Sequence, residues 1–238
     1  MESKVDALVL RTANYGEADK MITLFSLQKG KISAAAKGVR KAKAKLAFAA
    51  QPFCFAEYVL ASRGERNTVV SAAATDGFYA LREDIGKFYA AACVTGLCDA
   101  LLLDGIVNEE LFLRAVSALR EMCEGDEAAA LIGFFLHALA LSGYEVQLSA
   151  CAGCGAVLEG RCWFDAADGC FYCADCARGA GVSAVTVRTL QGCAAGEAGP
   201  FPPEGKARAV KLLYAYLREK TGAAVKAVDE YLALLGAP

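Results

Sequence analysis

Through the first 80 residues, apolar positions come in short runs divided by turn residues. Val5–Arg11 is rich in β-formers and leads to the turn signal Asn14-Tyr15-Gly16. Lys20–Leu27 is a second apolar run, closed by Gly30. Lys31–Lys37 sets Ile32, Ala34 and Ala36 against Lys31, Ser33 and Ala35, and Gly38 ends it. Pro52–Leu60 alternates aromatic and small residues, and Thr68–Ala73 follows the polar turn Arg63-Gly64-Glu65-Arg66-Asn67. Five short strands at this spacing predict a small closed barrel.

The period changes near residue 78. Between Pro52 and Pro200 there is no proline. Leu97, Leu101 and Leu102, then Leu111, Val116 and Leu119, recur at helical spacing. Ala128–Leu141 is apolar nearly all round, as a central bundle helix is. Thr186–Gln191 opens another short helix, Pro200–Pro203 is a loop, and residues 205–220 gather Val210, Leu213, Tyr214 and Leu217 on one face. The body is therefore all-helical, with a compact insertion at about 149–177.

Composition narrows the class. Apolar residues make up 56% of 238 and charged residues 22%, which excludes a disordered chain. The net charge of −2 excludes a uniformly basic binder of nucleic acid. The charge is uneven, however: residues 1–80 sum to +5 and the remainder to −7. That asymmetry points to a basic module joined to a neutral or acidic body. Met1–Asp6 carries acids and no apolar core of a signal peptide. Ala128–Leu141 falls short of the ~18–20 residues of a membrane helix. The expectation is a cytoplasmic protein with no membrane contact.

Six of eleven cysteines cluster in residues 151–176. Cys151-x2-Cys154 and Cys173-x2-Cys176 stand 18 residues apart, the spacing of two hooks on one structural Zn2+. Each hook offers two thiolates to one side of a tetrahedral ion, and Gly153 and Gly155 let the first one bend. Four thiolates leave no open position, so the zinc is structural. Cys170-x2-Cys173 is also a hook, so a set with Cys170 in place of Cys176 stays open, and Cys162 lies within the loop. A dithiol redox site lacks its usual βαβ setting. Cys54, Cys93, Cys98, Cys123 and Cys193 read as buried small hydrophobes, and His137 as a core or interface residue.

Lys37-Gly38-Val39-Arg40-Lys41-Ala42-Lys43-Ala44-Lys45 holds five cations in nine residues and no acid. It lies between two predicted strands, on a barrel rim. Lys37, Arg40, Lys41, Lys43 and Lys45 there can follow a phosphate backbone, with Lys31 and Arg11 extending the patch. An oligonucleotide-binding (OB) barrel binds single strands beside such loops; an SH3-like barrel is the structural alternative. Stacking aromatics come from Tyr15, Phe25, Phe53, Phe55 or Tyr58. A solvated charge run is the plainer reading of the loop.

No phosphate-binding glycine loop, dinucleotide fingerprint or HExxH is present, and one histidine cannot build the usual triads. Glu17 and Asp19 suit turn capping and pairing with Lys20 better than Mg2+. The chain reads as a non-enzyme. Its fold class is α+β and multidomain: an N-terminal OB-fold β-barrel (1–79), an all-α helical domain (80–148 and 178–238) and an inserted zinc-binding module (149–177).

Ala7-Leu8-Val9-Leu10, Tyr15-Gly16-Glu17-x-Asp19, Leu24-Phe25, Gly30-Lys31, Ala36-Lys37-Gly38-x-Arg40 and Pro52-Phe53 resemble the N-terminal domain of the RecO family of bacterial recombination mediators. Ala80-Leu81-Arg82-Glu83-Asp84 and Leu141-x-Gly143-Tyr144 extend the resemblance over nearly the whole chain. It implies an OB-fold, a helical domain and, in many members, an inserted zinc module. It further implies binding of single- and double-stranded DNA and annealing of complementary strands. Action with RecR to load RecA onto DNA coated by single-strand-binding protein is implied too. Cys170 stands where glycine is more usual in that loop, and residues 223–232 lack the Ser/Arg stretch near the last helix. Two other functions fit the residues alone: an RNA-binding OB protein with a zinc ribbon, and a zinc-stabilised interaction scaffold.

Overall fold

The computed structural model describes residues 2–64, 66–197 and 199–236. They form two compact units, 1–123 and 124–238.

In the first unit, five strands close a barrel in the order β1-β2-β3-β5-β4. They are β1 (Glu2–Tyr15), β2 (Asp19–Ser26), β3 (Gly30–Ala36), β4 (Phe55–Arg63) and β5 (Arg66–Asp76). Neighbours are antiparallel except β3 and β5, which meet in parallel through Ala34↔Asn67 and Ala35↔Thr68. This Greek-key closure is that of an OB-like barrel and sets aside the SH3-like alternative. Val5, Ala7, Val9, Ile22, Leu24 and Tyr58 are among the side chains that fill the interior.

β1 is twice the length of the run Val5–Arg11. A register shift between Val9 and Arg11 bends it, and such a bulge lets one strand serve two neighbours. Its first half pairs with β4 and its second with β2. The apolar run Ala7–Leu10 does not alternate because both of its faces are covered. Leu8 lies opposite Phe25 on β2 and Phe55 on β4. On that row sits Phe112, with ring centroids 5.3 Å from Phe25 and 5.7 Å from Phe55. Phe112 belongs to α2 (Glu109–Glu124), which follows α1 (Ile85–Leu101). Asp84 caps α1 by accepting the Lys87 amide at 2.9 Å, and Arg82 donates to the Pro52 carbonyl at 2.8 Å. β4 starts three residues later than the sequence pattern suggests, because Phe53 takes a left-handed turn (φ 65°) behind a short 3-10 turn at Phe48–Ala50.

The second unit is built on α3 (Glu127–Leu141), α4 (Ala184–Ala194), α5 (Pro203–Thr221) and α6 (Lys226–Leu234). Apolar almost all round, α3 packs against both α4 and α5. Asp126 caps it, accepting the Ala128 and Ala129 amides at 3.0 Å, and its other oxygen takes Lys206 of α5 at 2.6 Å. Between α3 and α4 runs a three-stranded antiparallel sheet in the order β7-β6-β8: β6 (Cys162–Asp165), β7 (Cys170–Tyr172) and β8 (Ala180–Val182). Among the described residues no helix is long and apolar enough to cross a membrane.

Candidate metal centre and nucleic-acid interface

Cys151, Cys154, Cys173 and Cys176 converge, with all four Sγ atoms within 4.8 Å of one another. The first hook lies just before β6 and the second just after β7. The Ala152 amide donates to the Phe171 carbonyl at 3.0 Å, which fixes the first hook to β7. Gly155 turns the chain at φ 73°, bonding the Cys151 carbonyl at 2.8 Å. Gly153 is needed for a different reason: a β-carbon there would lie 2.9 Å from Cys176 Sγ.

The donor set suits a tetrahedral thiophilic ion. Zn–S bonds of about 2.3 Å place sulfurs about 3.8 Å apart, and the Cys154 and Cys173 sulfurs are 3.7 Å apart. The Cys173 amide donates to Cys151 Sγ at 3.3 Å. That bond, with smaller help from the Cys154 and Gly153 amides, lowers the Cys151 thiol to about 6. A thiolate is the form a metal needs. Cys154 and Cys176 shift the other way; for Cys176 the leading cause is its hydrogen bond with Cys154, which raises it to about 12. These thiols lie close enough to share protons, so they titrate together rather than singly. The cluster can hold a metal ion.

Cys170 is not part of it. It opens β7, and its thiol points to the Asp168 carbonyl at 3.5 Å. Cys162 is fully buried and its thiol faces the Glu159 and Gly160 carbonyls. Burial raises both thiols.

In the barrel unit, the basic segment is a chain of tight turns after β3. The Lys41 amide bonds the Gly38 carbonyl at 3.1 Å and the Ala44 amide bonds Lys41 at 3.0 Å. Lys37, Arg40, Lys41, Lys43 and Lys45 are all exposed, and none has an acidic partner among the described residues. The segment is tied down by the β1–β2 turn. Asp19 accepts the Gly38 amide at 2.7 Å, and Arg40 reaches back through its own amide to Ala18 (3.0 Å) and its guanidinium to Gly16 (3.1 Å). This is the physical content of the Tyr-Gly-Glu-x-Asp and Ala-Lys-Gly-x-Arg segments. Asp19 positions the loop, and Lys20 donates to the Ala50 carbonyl at 3.2 Å.

The structure separates Lys31 and Arg11 from this group. Lys31 is the second residue of β3, about 20 Å along the chain from Lys37. Its ammonium bonds the Asp99 carbonyl at 2.8 Å and lies 3.5 Å from the carboxylates of both Asp99 and Asp104, with its side chain only 15% exposed. Arg11 meets Asp99 at 3.8 Å. Of the five aromatics, Phe25, Phe53 and Tyr58 are buried and Phe55 is held by Phe112; only Tyr15, beside Gly16, is well exposed, at 60%. Two arginines not singled out from sequence are also exposed on the barrel. Arg63 and Arg66 face each other across the β4–β5 hairpin, both exposed. Two arginines flanking a glycine turn were their signal.

An OB-like barrel with a bare basic loop, joined to a helical unit with a four-cysteine knuckle, defines the class: a barrel-plus-helix protein with a metal-competent cluster. Comparison with known proteins is more particular. Residues 1–78 match the model of "Recombination protein O N terminal" and residues 82–228 that of "Recombination protein O C terminal". Proteins named DNA repair protein RecO are similar along the whole length. The one from Myxococcus xanthus is 36% identical over 97% of both chains, and that from Anaeromyxobacter dehalogenans 2CP-1 36% identical over 99% of both. The Desulforamulus reducens protein is 36% identical over 73% of this chain and 68% of its own. The chain belongs to the RecO family of DNA repair proteins.

Proposed function

We propose that the chain is a non-enzymatic mediator of DNA repair and homologous recombination. It binds single- and double-stranded DNA, anneals complementary strands and, with RecR, helps load RecA onto DNA coated by single-strand-binding protein. The observation that carries this reading is the exposed loop of Lys37, Arg40, Lys41, Lys43 and Lys45, held in place yet without an acidic partner among the described residues. Bare cations at the rim of an OB-like barrel are suited to phosphates. Tyr15 offers a ring for stacking at the same turn, and Arg63 and Arg66 extend the track. Arg11 and Lys31 contribute less, because Asp99 and Asp104 already face them.

Annealing needs no nucleotide energy. Cations that neutralise two phosphate backbones lower their repulsion, and base pairing drives the rest. The ion at Cys151, Cys154, Cys173 and Cys176 is Zn2+ in a structural role: four thiolates match its preference and leave no site for water. It pins the two ends of the β6–β7 segment together. Work on chromosomal DNA would be done in the cytoplasm, at the nucleoid. The test is the rate at which two labelled complementary oligonucleotides pair with no nucleotide added. The wild type accelerates pairing; Lys41→Glu/Lys43→Glu does not. Equal rates with both proteins refute the reading.

A further inference from the structure

Phe48 is 37% exposed, and among the described residues no phenylalanine is more so. Phe53, five residues on, is 2% exposed. The exposed ring is not loose. It rides on the short 3-10 turn Phe48–Ala50, and that turn is fastened from beneath. Ala49 and Ala50 belong to the barrel core. The buried Tyr58 hydroxyl donates to the Ala49 carbonyl at 2.8 Å, and the Lys20 ammonium donates to the Ala50 carbonyl at 3.2 Å. The Gln51 amide closes the turn on the Phe48 carbonyl at 3.0 Å. A ring on a held backbone loses little freedom when a ligand covers it.

The same winding joins this ring to the cations. After Gly38 the backbone closes in three-residue steps: the Lys41 amide on Gly38, Ala44 on Lys41, Ala47 on Ala44 and Ala49 on Leu46. With three residues to a turn, Lys45 and Phe48 come to the same side, one turn of about 6 Å apart. Their burial agrees: Lys45 and Phe48 are exposed, whereas Ala49 and Ala50 are buried. At the start of the segment, the Arg40 guanidinium is tied to the Gly16 carbonyl, and Tyr15 beside it is 60% exposed. One open ring thus stands at each end of the cationic segment.

We propose that Phe48 stacks on an unpaired nucleobase and makes this loop hold single strands in preference to duplex. The inference rests on the DNA-binding reading above. Lys45 meets a phosphate, and Phe48, one turn on, meets a base of the same stretch of strand. Every base has a π-face, so the ring selects for an unpaired base and not for a sequence. In a duplex both faces of an interior base are covered by its neighbours, and only phosphates reach the loop. When two strands pair, the ring contact is lost while the cations keep theirs. The loop therefore grips the separate strands more tightly than the paired product.

The experiment titrates three labelled ligands with the full chain by anisotropy: oligothymidylate, a strand of equal phosphate count with abasic sugars throughout, and a duplex of the same length. The wild type binds thymidylate more tightly than the abasic strand by about fivefold or more, since fivefold is the lower end of what one stacked base contributes. In Phe48→Ala and Phe48→Leu that ratio falls at least threefold, while the salt slope for thymidylate and the affinity for duplex do not change. Leucine keeps apolar bulk without a π-face, so its loss speaks to the ring and not to folding. Phe48→Trp keeps the ratio, and its added indole emission is quenched by thymidylate and not by the abasic strand. A smaller fall in the ratio overturns the proposal, as does a duplex affinity that falls as far as that for thymidylate. Equal binding of thymidylate and abasic strand by the wild type overturns it too, and leaves the cations holding the backbone alone. Failure of all three ligands to bind at low salt refutes the DNA-binding reading and this inference with it.

Discussion

The Asp19 carboxylate accepts the Gly38 amide proton at 2.7 Å across 19 residues of sequence. One acid thereby holds the start of a loop whose cations otherwise repel one another. Asp19→Ala removes a charge-assisted bond of about 1–2 kcal/mol. Urea unfolding should report a loss of that size, and single-stranded DNA affinity should fall about tenfold as the loop loses its fixed course. Asp19→Asn keeps an acceptor oxygen and should bind nearly as the wild type does. Equal losses in both variants would mean that the charge of Asp19, and not its bond to Gly38, matters.

The cysteine cluster makes a sharp contrast between neighbours. Cys154→Ala should abolish bound zinc and lower the melting temperature by about 10 °C, since metal binding is folding free energy in such sites. Cys170→Ser should keep the metal, because the Cys170 thiol lies against the Asp168 carbonyl and outside the four. Metal content by mass spectrometry of the purified proteins checks both. Zinc retained in Cys154→Ala and lost in Cys170→Ser would reassign the ligands.

Asp165 gives the β6–β7 segment a dependence on acid. The Ala167 amide first, and the Arg178 guanidinium at 2.6 Å second, hold its carboxyl below the usual 3.8. A depressed carboxyl contributes stability above its unfolded value, and that contribution is lost as pH falls through the folded value. The difference in melting temperature between wild type and Asp165→Asn should therefore be constant from pH 5 to 7 and shrink below pH 4. A difference that grows on acidification would contradict this placement of the charge.

The barrel was legible because its strands are separated by turn residues and its interior positions alternate. The length of β1 was not. Its bulge leaves no mark in composition, and its continuous run Ala7–Leu10 reflects a second covered face, supplied by Phe112 about a hundred residues later. Strands of three or four residues, as in β6 to β8, are too short for any period to show. The four cysteines were readable from spacing, because a tetrahedral ion demands paired hooks. The fates of Lys31 and Arg11 were not, because their acid, Asp99, lies 68 residues from Lys31 in the chain. Aromatic type alone did not separate Tyr15 from Phe25, since outer and inner strand faces are both buried here.

The claim that matters most is that DNA lies on the Lys37–Lys45 loop. It is tested by anisotropy of a labelled single-stranded oligonucleotide at several salt concentrations, beside Lys41→Glu/Lys43→Glu. Five phosphate contacts at ~0.7 each predict a log–log slope of roughly −3.5, and the variant should bind more weakly with a shallower slope. No binding at low salt, or the same affinity and slope in both proteins, would contradict it.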